Sequence, residues 1–117
     1  MRTILVVEDD PTQAQALLTK LTRANFSVDI AHDGLEGLEL FSGKKYDLII
    51  LDILMPRMEG TEMLRKLQQQ HETLPPIIIL TNKEGVSEPE GVAAVLYKSN
   101  TSLETLVTMV KSLLTTD

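Results

Sequence analysis

The chain has 117 residues, room for one compact domain that buries about two-thirds of its unfolded surface. Its 43% hydrophobic and 24% charged residues are those of a globular protein, not of a disordered or fibrous one. A formal net charge of −6 argues against a phosphate-neutralising nucleic-acid face, and the lack of cysteine excludes disulfides, thiolate metal sites and cysteine nucleophiles.

The first apolar run, Ile4–Val7, has strand length and stops at Glu8, too short for a signal peptide. Asp10-Pro11 then reads as a cap followed by proline at the first helical position, and Ala14, Leu17, Leu18 and Leu21 follow helical spacing. In Phe26–Ala31, Phe26, Val28 and Ile30 alternate with Ser27, Asp29 and Ala31, as in a half-exposed strand. Leu35, Leu38 and Phe41 mark a shorter helix. Leu48–Ile53 is a strand that reaches Asp52, and Gly60, Met63, Leu64 and Leu67 mark a helix that ends before Pro75-Pro76. Ile77–Leu80 is the fourth strand. Asn82 to Gly91 holds Gly85, Pro89 and one large apolar residue, Val86, so at most a turn or two of helix is expected there. Val92–Tyr97 is the fifth strand. The last helix runs from Leu103 to Leu114, with Thr101 and Glu104 spaced as a capping box.

Strands alternating with helices imply right-handed crossovers and a parallel sheet between two helical layers. The first, third and fourth runs are continuously apolar, which suits strands covered on both faces. The expected fold class is α/β: a flavodoxin-like doubly wound five-stranded parallel sheet of order 2-1-3-4-5, with a short or irregular fourth crossover. No segment approaches the ~20 apolar residues of a membrane span. Residues 1–117 are therefore expected to be a single soluble, cytoplasmic domain with no effector domain, no membrane contact and no direct nucleic-acid contact.

The chemistry lies where the apolar runs end. Glu8, Asp9 and Asp10 follow the first strand, and Asp52 closes the third. Ligands of open α/β sheets bind beyond the carboxyl ends of the strands, where the strand order reverses, here between strands one and three. Glu8, Asp9 and Asp52 should therefore crowd one crevice. Carboxylates so placed repel unless a cation joins them, and oxygen ligands with water suit Mg²⁺. The plain alternative is that Glu8 and Asp9 merely open a loop. Asp10, before Pro11, fits a helix cap instead. Thr81 ends the fourth strand and Lys98 follows the fifth, and both face the same rim. Singly, they are a strand-end threonine and a surface lysine. Around a metal-bound carboxylate, a hydroxyl and an ammonium make a site for a dianionic phosphoryl group.

Nearly the whole chain resembles the receiver domain of two-component response regulators. Residues 4–10 (ILVVEDD) are similar to that family's first strand and acidic pair, and residues 47–60 (DLIILDILMPRMEG) to its phosphorylation motif, including Met55-Pro56 and Gly60. Residues 77–82 (IIILTN) and 96–99 (LYKS) resemble its fourth and fifth strand ends. The resemblance implies that Asp52 accepts a phosphoryl group from the phosphohistidine of a sensor histidine kinase or phosphotransfer protein. It implies Mg²⁺ held by Glu8, Asp9, Asp52 and the backbone carbonyl of Leu54. Thr81 would contact the phosphoryl group, Lys98 would pair with the acceptor carboxylate, and a downstream protein target would read the mark. Such a phosphoacceptor with slow autodephosphorylation is not a turnover enzyme.

The chain departs from the family pattern beyond the site. Ser99 stands where proline usually follows the lysine, and Val95 stands at the usual aromatic switch position. Tyr97, one before the lysine, is expected on the other face of the strand. The stretch from Thr81 to Lys98 is about five residues shorter than usual. Val95 has no ring to rotate, so any signal is expected in residues 82–91 and the Thr81 loop. Two rival readings make different demands on these residues. A dehalogenase-like phosphatase needs a second aspartate at position 54, which is Leu54. A pseudo-receiver, an interaction module that works without phosphorylation, is separable by a mass shift with a small phosphodonor. His32 and His71 read as solvent-facing, and Met55, Met58 and Met63 as packing.

Overall fold

The structure, a computed structural model, describes residues 1–55 and 58–115. The apolar runs form β1 (Thr3–Val7), β2 (Ser27–Ala31), β3 (Leu48–Leu51), β4 (Ile77–Thr81) and β5 (Ala94–Tyr97). The helices are α1 (Pro11–Arg23), α2 (Gly34–Gly43), α3 (Gly60–Gln70) and α4 (Leu103–Leu114), and a 3₁₀ turn covers Lys98–Asn100. All strands pair in parallel in the order β2-β1-β3-β4-β5, as expected. No helix among the described residues is long and apolar enough to cross a membrane.

Period-two alternation sends each central strand into two cores. Ile4, Val6, Leu48, Ile50, Ile78 and Leu80 pack with Leu17 and Leu21 of α1 and Leu106 and Val110 of α4. Leu5, Val7, Ile49, Leu51 and Ile77 pack on the opposite face with Met63, Leu64 and Leu67 of α3, and with Leu38 and Phe41 of α2. Both faces are covered, so β1, β3 and β4 read as unbroken apolar runs. Each large side chain so buried contributes roughly 1.5–3 kcal/mol. Met55, Met58 and Met63 belong to this second core, as expected.

Asp10 caps α1, accepting the N–H groups of Thr12 at 2.9 Å and Gln13 at 3.5 Å. The capping box expected from Thr101 and Glu104 does not form. α4 starts at Leu103 as expected, but its cap is Ser102, whose hydroxyl accepts the Thr105 N–H at 3.0 Å, and Glu104 turns outward to 3.7 Å from Lys20. Some strand ends also move. Phe26 precedes β2 and is buried in the core under α1 and α4, while Asp52 and Ile53 lie just past β3, and Val92 and Ala93 just before β5. His32 is exposed and bonds Glu36 at 2.8 Å, whereas His71 is half-buried with its ring edge-on to Phe41 at 4.9 Å.

Residues 82–93 connect β4 to β5 without a helix. Gly85 and Gly91 have φ of +70° and +88°, a left-handed geometry that breaks any helical run. β5 is consequently half-buried along its whole length. The face expected for Tyr97 is corrected here. The register pairs Ile79 with Val95 and Thr81 with Tyr97, so Val95 and Tyr97 share one face. Leu96 points the opposite way, into the core beneath α4.

Candidate functional site

Backbone bonds carry the β-ladders one residue beyond the strands. The Glu8 N–H donates to the Ala31 carbonyl at 2.9 Å, and the Asp52 N–H to the Val7 carbonyl at 3.0 Å. These bonds fix Glu8 and Asp52 at neighbouring strand ends, both buried, with Asp9 the more open of the three acids. Each of Glu8, Asp9 and Asp52 offers a carboxylate oxygen, and these oxygens all lie within 4.8 Å of one another. The crevice expected between strands one and three is present.

Lys98, at the start of the 3₁₀ turn, reaches into it. Its Nζ lies 2.6 Å from Glu8 Oε1 and 3.1 Å from Asp52 Oδ2. The expected pairing of Lys98 with the acceptor carboxylate is present, and Glu8 is the closer partner of the two. The remaining oxygens are also engaged: Glu8 Oε2 accepts the Asp10 N–H at 3.2 Å, and Asp52 Oδ1 accepts the Leu54 N–H at 3.1 Å. Burial pushes the Glu8 carboxyl above its ordinary value, with the Lys98 bond offsetting part of that rise. Burial alone would lower Lys98, but its bonds to Glu8 and Asp52 outweigh that and hold it above the ordinary lysine value.

Thr81 is fully buried at the end of β4, and its hydroxyl accepts the Lys83 N–H at 3.1 Å. Leu54 is 45% exposed, and its N–H on Asp52 closes a local turn at the crevice mouth. Gly60 explains its place in the motif. Its N–H donates to the Ile53 carbonyl at 3.1 Å, and a Cβ there would stand 2.4 Å from the Asp52 carbonyl oxygen. The first turn of α3 thus rests directly on the backbone that carries Asp52. Pro56 of the same motif lies outside the described residues.

All-oxygen donors, two of them buried, fit a hard divalent cation better than a soft one. Among the described residues the Lys98 ammonium pairs with two of the three carboxylates, Glu8 and Asp52, so these groups retain negative charge for a cation to offset.

Residues 4–107 match the family described as the response regulator receiver domain, and the chain belongs to that family. The response regulator ArlR of Staphylococcus aureus is 46% identical over 83 residues, covering 71% of this chain and 37% of that protein. The response regulator MprA of Mycobacterium avium is 40% identical over 85 residues, 73% of this chain and 37% of the relative. The chain thus spans little more than a third of the length of these curated relatives. Among solved structures, the response regulator TrrA of Thermotoga maritima in complex with Mg²⁺ and BeF superposes with a TM-score of 0.87 at 32% identity, covering 97% of this chain and all of that one (100%). TrrA in complex with the histidine kinase ThkA superposes with a TM-score of 0.85, also at 32% identity, over 98% of this chain and 100% of TrrA.

Proposed function

We propose that residues 1–117 act as one receiver unit, taking a phosphoryl group from a phosphohistidine onto Asp52 in a Mg²⁺-dependent reaction. The observation that carries this reading is the buried Asp52 carboxylate between two further acids and the Lys98 ammonium. Mg²⁺ would be held by Glu8, Asp9, Asp52 and the backbone carbonyl of Leu54, and when bound it supplies positive charge beside the acceptor oxygen. An Asp52 oxygen attacks phosphorus in line, a P–O bond forms, and the P–N bond breaks with its electron pair left on the donor imidazole. Lys98 offsets charge gathering on the equatorial oxygens, and the Thr81 hydroxyl donates a hydrogen bond to one of them. One phosphoryl group is taken per chain and later lost to water, so this is a marked carrier rather than a turnover enzyme.

The donor would be a sensor histidine kinase or a phosphotransfer protein in the cytoplasm, and the reader a downstream protein. TrrA supports both halves of the proposal, with Mg²⁺ and BeF in one structure and a histidine kinase in another. Incubation with acetyl phosphate or phosphoramidate and Mg²⁺ should add one phosphoryl mass that hydroxylamine removes, and Asp52→Asn should show none. A wild-type chain that takes no label would instead favour an interaction module that works without phosphorylation. Mg²⁺ alone should raise the melting temperature, and Asp9→Asn should abolish that rise.

A further inference from the structure

Two of the hydrogen bonds that hold the β4–β5 connection lie at its end nearest the crevice, while Gln68 Nε2 holds the far end by donating to the Glu90 carbonyl at 2.8 Å. In the first of the two, the Lys83 N–H donates to the Thr81 hydroxyl at 3.1 Å. In the second, the Tyr97 hydroxyl donates to the Val86 carbonyl, also at 3.1 Å. Thr81 and Tyr97 are register partners on adjacent strands, so both anchors sit side by side at the carboxyl edge of the sheet. Gly85, in its left-handed conformation, lets the short stretch between them fold back as a turn. Residues 83–86 are therefore clipped at both ends, to Thr81 at the end of β4 and to Tyr97, the β5 residue just before Lys98.

Thr81 has one hydroxyl hydrogen, and accepting from Lys83 leaves that hydrogen free to donate. The direction in which it can donate depends on where the Lys83 N–H is held, and the Tyr97 clip limits how far that backbone can drift. We propose that Tyr97 is a positioning residue, whose hydroxyl fixes residues 83–86 and through them orients the Thr81 hydroxyl toward the acceptor crevice. The second consequence rests on the phosphoacceptor reading above. When the Thr81 hydroxyl donates to a phosphoryl oxygen on Asp52 and its oxygen is drawn toward the crevice, the Lys83 bond lengthens while the Val86 end stays clipped. The response is then a hinged opening of residues 82–86 about Tyr97, with no ring rotation required.

Tyr97→Phe removes the hydroxyl and keeps the ring. Amide exchange over residues 83–86 should accelerate by about fivefold in the resting protein, the factor expected for one net hydrogen bond. Beryllofluoride with Mg²⁺, a phosphoryl mimic, should bind the variant several-fold more weakly and produce a smaller exchange change in that segment. Tyr46→Phe, which loses a hydroxyl bonded to Asp29, should alter neither readout. Identical resting exchange in wild type and Tyr97→Phe would overturn the proposal. Faster exchange with unchanged beryllofluoride affinity would overturn it equally, because Thr81 would then be oriented without the clip. A wild-type chain that takes neither phosphoryl group nor mimic would defeat the phosphoacceptor reading instead, and the resting exchange would still decide whether Tyr97 holds the turn.

Discussion

β3 and β5 are parallel strands of one sheet, yet they are held by different means. β3 is buried throughout, and the crossover that follows it carries α3, whose Met63, Leu64 and Leu67 cover it. β5 is only half-buried, and the crossover that precedes it has no helix to lay down. Packing secures the first region, whereas three side-chain hydrogen bonds, at Lys83, Val86 and Glu90, and a glycine turn secure the second. The site draws on both. Asp52 extends the rigid strand, while Thr81 and Lys98 flank the lightly held crossover. A fixed acceptor beside a segment of low local stability is an arrangement in which a small change at the acceptor can move the segment.

The contrast is sharpest in core truncations. Leu67→Ala should cost about 2–5 kcal/mol in chemical denaturation, and Val86→Ala less than about 1 kcal/mol. Similar costs at both positions would mean that the helix-free crossover is packed like a helix.

Lys98→Met tests how far the site itself depends on its lysine. It leaves Glu8 and Asp52 buried without their ammonium and should cost about 3 kcal/mol at pH 7 with no divalent cation. The sign of its pH dependence follows from Glu8. That carboxyl sits above its ordinary value in the fold, so its contribution to stability is full at low pH and is lost as pH rises through the folded value. Without Lys98 the value rises further, so the destabilisation should shrink as pH falls from neutral to mildly acidic. A cost that grew on acidification would contradict the Glu8 assignment.

Gly60→Ala probes the contact between α3 and the acceptor backbone. The new Cβ meets backbone atoms that cannot rotate away, so a loss of about 1–3 kcal/mol and slower phosphorylation are expected. Unchanged labelling kinetics would show that the Asp52 backbone tolerates displacement.

The smallest effect belongs to the open pair on β2, where Lys44 lies 2.8 Å from Asp29. Lys44→Met should cost less than about 1 kcal/mol, since both groups are substantially exposed to water and salt. The Lys44 bond holds Asp29 below its ordinary value, so this contribution is present at neutral pH and lost as pH falls through the folded value. The difference between wild type and variant should therefore vanish in acid, opposite in direction to the loss with rising pH expected for Glu8.

The five strands were legible in the apolar runs, and with the order of a doubly wound sheet so was the meeting of Glu8, Asp9 and Asp52. Apolar runs long enough for strands and covered on both faces allow few arrangements, and the strand-order reversal then selects which ends converge. The sequence also exposed the weak fourth crossover, because Gly85, Pro89 and a lone Val86 cannot form an apolar helical stripe. Which partner each polar group takes was set by the assembled fold. Ser102 rather than Thr101 caps α4, Glu8 rather than Asp52 is nearest to Lys98, and Tyr97 lies on the same face as Val95 and clips Val86. Periodicity reports which face of an element is apolar. The hydrogen bond a polar side chain makes depends on distances across chain separations such as the 90 residues between Glu8 and Lys98, and these exist only once the sheet has assembled.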